Sequence, residues 1–156
     1  MSVKLVREYL ELPGKSKEDI IRDLRTLSKD ELGNQLIKAS EHGLTDIVQW
    51  IIDADADVNA NDHYGRTALM WASANGREAC VKLLLNADSN VNATSNGGWT
   101  ALMYASFNGH EACVRLLLAN GADVNTKNSH GWTSLMFASN NGRKDIFELL
   151  KKYGAK

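Results

Sequence analysis

The chain has no block of like charges, no long apolar run and only two cysteines, and each shortage removes a class of function. With a formal net charge of −1, bulk electrostatics give it no hold on nucleic acid or on an anionic membrane surface. Partner choice then falls to shape. The start Met1-Ser2-Val3-Lys4 carries neither an apolar leader nor a Met-Gly acylation start, which makes an intracellular location, cytosolic or nuclear, the expectation. Cys80 and Cys113 show no Cys-x-x-Cys or Cys/His ligand spacing, and His42, His63, His110 and His130 are scattered. Two buried apolar thiols are therefore expected in place of a metal or redox pair. There is no Gly-x-x-x-x-Gly-Lys loop, His-Glu-x-x-His helix or Gly-x-Ser-x-Gly elbow, so neither catalysis nor a cofactor is expected. Asn92-Ala93-Thr94 matches a glycosylation acceptor in form only, in a chain expected to stay inside the cell.

What the chain does have is a period. Residues 61–93 and 94–126 match at 18 of 33 positions. Gly65-Arg66-Thr67-Ala68-Leu69-Met70-Trp71-Ala72-Ser73 returns as Gly98-Trp99-Thr100-Ala101-Leu102-Met103-Tyr104-Ala105-Ser106, and again as Gly131-Trp132-Thr133-Ser134-Leu135-Met136-Phe137-Ala138-Ser139. Glu78 to Leu85 is likewise answered by Glu111 to Leu118, and Val58-Asn59, Val91-Asn92 and Val124-Asn125 close the units. A fixed period of this length marks a stacked-repeat solenoid, in which each unit buries its face only against its neighbours. The two cysteines fall at the same place one unit apart. Packed helices lie roughly 8–10 Å apart and a disulfide needs Cα atoms within about 7 Å, so they are not expected to bond.

These phrases resemble the ankyrin repeat family, whose unit runs Gly-x-Thr-Pro-Leu-His-x-Ala, a Gly turn, a Leu-Leu second helix and a Gly-Ala-Asp-Val-Asn finger. Gly121-Ala122-Asp123-Val124-Asn125 reproduces the last piece. The resemblance covers about residues 28–156 and implies an all-α solenoid with short β-hairpin fingers, about four units long (28–60, 61–93, 94–126, 127–156). Two positions depart from the pattern. The proline is Ala68, Ala101 or Ser134, and the histidine is Met70, Met103 or Met136. Alanine is the best general helix former, and Thr67, Thr100 and Thr133 remain as N-cap hydroxyls, so the helix starts survive. Methionine should make contacts between repeats more apolar and more adaptable.

Residues 1–27 lie outside the repeat. Val3, Val6 and Leu10 share a helical face, Pro13-Gly14 breaks the chain, and Ser16-x-x-Asp19 opens a second helix with Ile20, Ile21, Leu24 and Leu27. A helical hairpin capping the first repeat is expected. In that repeat Ser28-x-x-Glu31 is a further capping box, and Leu32-Gly33-Asn34 replaces Gly-x-Thr, so its first helix should begin early and run long. At the far end Lys151-Lys152 stands where inner repeats have a third leucine, the pattern of a solvated end face and an expected sign that the array ends there.

In the family, partners bind along the finger tips and first helices. The resemblance thus implies a partner-binding set of Tyr64, Arg66, Trp71, Trp99, Tyr104, Phe107, Trp132 and Phe137, which holds seven of the eleven aromatic residues. Exposed aromatic patches mark contact sites and aromatic residues are enriched among binding hot spots. Trp99 and Trp132 follow the finger glycine and should face outward. Trp71, Tyr104 and Phe137 suit packing between repeats equally well. Asn75, Asn108 and Asn141 precede glycine and are expected as helix stops. The resemblance also implies that Asn59, Asn92 and Asn125 can be hydroxylated, although bonding to the finger backbone is the preferred reading. The expected function is protein–protein binding by a non-catalytic, monomeric adaptor or regulator that takes a peptide segment, extended or a helix edge, or a protein surface along its concave aromatic face. The alternative is an inhibitor or assembly chaperone that clamps a folded domain.

Overall fold

A computed structural model describes residues 14–156; the expected face of Val3, Val6 and Leu10, and the break at Pro13, lie outside the described residues. Among the described residues are nine helices: α1 (Lys17–Leu24), α2 (Lys29–Glu41), α3 (Thr45–Asp53), α4 (Ala68–Ala74), α5 (Glu78–Asn86), α6 (Ala101–Asn108), α7 (Glu111–Ala119), α8 (Ser134–Asn140) and α9 (Lys144–Lys152). From α2 onward they form antiparallel pairs, one pair per repeat. The first helices α2, α4, α6 and α8 stack in one layer, and the second helices α3, α5, α7 and α9 stack in the other.

Side-chain oxygens start the first helices. Thr67, Thr100 and Thr133 accept from the amides of Met70, Met103 and Met136 at 3.3, 3.2 and 3.3 Å, satisfying donors that a helix start otherwise leaves unpaired. Met70 adds a sulfur contact, its Sδ accepting from the Thr67 amide at 3.5 Å, a weak bond. The first repeat differs as expected. Ser28 and Glu31 close a reciprocal capping box, and α2 runs for 13 residues where α4, α6 and α8 have 7, 8 and 7. Gly33 sits inside α2 because the chain passes there: a Cβ on it would stand 2.7 Å from that of Ala60.

The second helices have no side-chain N-cap. Instead the next repeat satisfies carbonyls left at the ends of the first helices. Arg77 Nε donates to Glu41 O at 3.1 Å, and Asn108 Nδ2 donates to Ala74 O at 3.0 Å with His110 Nε2 3.1 Å from the same oxygen. These bonds join neighbouring repeats through groups that would otherwise be orphaned.

The core is periodic too. Leu36, Leu69 and Leu102 from the first helices, and Ile51, Leu84 and Leu117 from the second, are all at most 1% exposed, each worth about 1.5–3 kcal/mol of apolar burial. Helix α1 lies against α3 and buries Ile20 and Leu24. Arg25 reaches Asp53 O at 3.1 Å, and Lys17 pairs with Asp53 at 3.6 Å. The fingers are turns with no continuous strand among the described residues; one of them is closed by an isolated antiparallel bridge, Asn61 to Thr67. The second helices end in left-handed residues: Gly121 (φ 87°) and Gly154 (φ 95°), but Asp55 (φ 66°) and Asp88 (φ 64°) in the two preceding repeats.

Candidate functional site

Each of the last three fingers opens on a side-chain oxygen that folds the tip. Asp62 Oδ1 accepts from the amides of Tyr64 and Arg66, both at 2.9 Å. Ser95 Oγ accepts from Trp99 N at 3.2 Å, and Asn128 Oδ1 from His130 N and Trp132 N at 2.9 and 3.0 Å. Asp62 and Asn128 thus make Asx turns to the amide two residues on, which short polar side chains form without help from distant chain, and all three side chains hold the amide four residues on. The tips are then fastened to one another: Asn96 N donates to Tyr64 O at 2.9 Å, and Ser129 N to Gly97 O at 3.0 Å. Gly98, at φ 78°, is needed for that approach, since a Cβ there would sit 3.1 Å from Asn128 Cα and Ser129 N.

The folded tip lays one side chain on the first helix of its own repeat, five residues further on. Arg66 lies on Trp71, Trp99 on Tyr104 and Trp132 on Phe137. In repeats 3 and 4 these pairs fuse. Tyr104, Trp99, Phe137 and Trp132 follow one another with centroid separations of 4.9, 4.5 and 5.1 Å and interplanar angles of 32°, 29° and 31°. Phe107 stands edge-on across this column, 5.8 Å from Trp99 and 5.6 Å from Phe137. Each such pair contributes about 0.5–1.5 kcal/mol beyond its area. Trp99, Tyr104 and Trp132 are half-buried, while Phe107 is 41% exposed.

Repeat 2 holds a second group. The Arg66 guanidinium lies 4.4 Å from the Trp71 ring centroid and 4.7 Å from that of Tyr64. Asp62 Oδ2 accepts from Arg66 Nε at 2.9 Å and from the Trp71 indole at 3.2 Å. Partial burial pushes the Asp62 carboxyl up, but the hydrogen bonds from Arg66, Trp71 and Tyr64 outweigh it and hold the group below the usual aspartate range. Tyr64 remains 65% exposed.

The eight residues expected to bind a partner thus fall into two groups, five in repeats 3 and 4 and three in repeat 2. Phe137, at 6% exposed, is the floor beneath the tryptophans, as the packing reading of this position expects. Trp99 and Trp132 are less outward than expected, since each lies flat on a neighbouring ring. Asp62 was not among the expected residues. Its signal was present, because an acceptor occupies the same register in every finger: Asp62, Ser95 and Asn128.

Asn59, Asn92 and Asn125 bond the following repeat and not their own finger. Their Oδ1 atoms accept from Asn90 N, Asp123 N and Lys156 N at 2.7, 2.8 and 3.1 Å. Asn92 and Asn125 also donate to Gly121 O and Gly154 O. Cys80 and Cys113 are free and buried. Burial pushes both thiols up, Cys113 to about 11 with help from Glu78, so neither supplies a thiolate near neutral pH. Among the described residues no three His, Cys, Asp or Glu side chains converge as a metal site would require. No helix among them is long and apolar enough to cross a membrane.

A family model for ankyrin repeats, counted as three copies, matches residues 36–128 and 94–156. No individual curated protein matches the chain.

Proposed function

The chain belongs to the ankyrin repeat family, whose repeats generally mediate protein–protein interaction, and we propose that it is a non-catalytic adaptor or regulator that receives an extended segment of another protein across the ring column of repeats 3 and 4. The observation that carries this reading is Phe107, a large ring 41% exposed and fixed edge-on over two others. Solvent-exposed aromatic side chains held in place offer area at low entropic cost, the chemistry of a hot spot. The ring column is already half-desolvated and locked by finger-to-finger bonds, so little ordering remains for association to oppose. Tyr64 and Arg66 then form a polar continuation of the same surface, with Trp71 beneath.

An extended ligand suits the spacing. Helices stack about 8–10 Å apart and an extended chain advances about 3.3–3.6 Å per residue, so about three ligand residues pass each repeat. The ligand's apolar side chains should meet Phe107 and Trp132 in turn. The intracellular, monomeric module expected from the sequence accords with this role.

The test places a photo-crosslinking benzoylphenylalanine at Phe107 and maps the products formed with the captured partner by mass spectrometry. A linear ligand gives crosslinks in one continuous stretch, and capture persists after the partner has been unfolded. Crosslinks in several separated stretches, lost when the partner unfolds, would establish the clamping of a folded domain instead.

A further inference from the structure

The ring column lies in a strip without formal charge. Residues 94–109 and 128–142, the finger tips and first helices of repeats 3 and 4, contain no Asp, Glu, Lys or Arg. The Asp62–Arg66 pair and Arg143, which lies against Gly109, stand beside it. A charged segment laid on this strip would lose hydration and find no counter-charge there, so the strip selects an uncharged one.

Its polar groups are nevertheless unspent. Asn75, Asn108 and Asn141 stand at the ends of α4, α6 and α8. Each turns its Nδ2 onto a carbonyl: Trp71 O at 2.9 Å, Ala74 O at 3.0 Å and Phe137 O at 3.0 Å. Only the nitrogen of an amide can face a carbonyl, so each Oδ1 is left over as an acceptor. None of the three accepts a bond among the described residues. From the finger side Trp99 and Trp132 bring indole N–H groups. Unlike that of Trp71, neither has an acceptor among the described residues, and neither is sealed from solvent. Acceptors and donors thus recur once per repeat beside the rings.

That period selects a conformation. Stacked helices recur about every 8–10 Å, and Trp99 and Trp132 stand 4.5 and 5.1 Å from the Phe137 ring between them. A polyproline II segment turns once in three residues of about 3.1 Å each, so one edge of it returns to the same groups once per repeat. A β-strand shows every third residue to the opposite side, and an α-helix has spent its amide N–H groups internally. Polyproline II leaves its backbone groups unbonded and suits aromatic-lined grooves.

We propose that the ring column receives an uncharged, proline-containing segment of the partner in the polyproline II conformation, with proline or an apolar side chain at every third residue against the rings. Carbonyls of the segment accept from the two indoles, and one non-proline N–H per turn donates to Asn75, Asn108 or Asn141. This rests on the ring column being the partner site and specifies what that site admits.

The test selects, on the full chain, from displayed random peptides of about twelve residues, four polyproline II turns, and measures the enriched peptides against the wild type and Phe107→Ser. Enriched sequences should carry proline or apolar residues at intervals of three, with few charges between them, and should bind Phe107→Ser about tenfold or more weakly. N-methylating such a peptide one residue at a time should cost about tenfold at intervals of three and little elsewhere. Asn108→Leu should erase one of those losses; if that variant fails to fold, the period of the losses decides alone. Peptides that depend on Phe107 but alternate with period two, or carry helical spacing without proline, would overturn the polyproline II assignment and leave the ring column as the partner site. Peptides indifferent to Phe107→Ser, or no enrichment at all, would overturn both.

Discussion

Repeat 2 and repeats 3 and 4 build one stack from different materials. In repeat 2 the finger residue is Arg66, held over Trp71 by the carboxylate of Asp62. In repeats 3 and 4 it is Trp99 or Trp132, lying on Tyr104 or Phe137 with no charged partner among the described residues. The backbone of the finger and the five-residue offset are the same. The Arg66 guanidinium spends its contacts within one repeat, on Asp62, Trp71 and Tyr64, whereas an indole has a second face free. Trp99 uses that second face to reach Phe137 of the next repeat at 4.5 Å. One substitution at a finger tip thus decides whether a repeat is closed on itself or joined into a longer surface, and specificity resides in such variable tips rather than in the frame.

The contrast breaks most severely at Phe137. Phe137→Ala removes a buried ring that touches Trp99, Phe107 and Trp132, and a loss of about 3–5 kcal/mol is expected in urea denaturation. Trp99→Ala leaves Phe137 in place but deletes three ring contacts, which should lower stability by about 2–4 kcal/mol. Melting followed by circular dichroism checks this. A Trp99→Ala variant that melts with the wild type would mean that the column adds nothing to the fold.

Asp62→Asn sharpens the other half. It should cost about 1 kcal/mol at neutral pH by weakening the hold on Arg66 and Trp71. Because the folded carboxyl sits below the usual aspartate range, its stabilisation is complete above the unfolded value of about 3.9 and fades as pH falls through the lower folded value. Urea midpoints of wild type and Asp62→Asn should therefore differ at pH 7 and draw together in acid. A difference that is constant with pH would show that the carboxylate's charge is not what holds the group. The smallest effect is expected at Asp88, left-handed at φ 64° and without a side-chain bond among the described residues. Asp88→Gly should raise stability by up to about 1 kcal/mol. Asp55 is a poorer test because Arg25 lies 3.7 Å away.

Much of this was legible in the chain because it repeats. The 33-residue register located the N-cap threonines, and Ser28-x-x-Glu31 the long first helix, both of which depend on local sequence. What stayed hidden depends on contacts between repeats. Nothing near Asn59 marks it as a strut to Asn90, 31 residues on, and nothing in repeat 4 alone shows that Phe137 is roofed by a tryptophan from repeat 3. Which of the aromatic residues is floor and which is exposed follows from the offset of one unit on the next. Asp62 lies between these cases, since its counterparts Ser95 and Asn128 share its register without sharing its charge.

The central claim, that the ring column of repeats 3 and 4 meets the partner, is tested most directly at Phe107, whose ring is exposed enough to remove without opening the core. Once a partner has been captured and purified, its affinity is measured by calorimetric titration against the wild type and Phe107→Ser, with melting recorded for both. The account predicts an affinity loss of about thirtyfold, the scale of a hot-spot truncation, with melting changed by a few degrees at most. Unchanged affinity in a folded Phe107→Ser variant would contradict it.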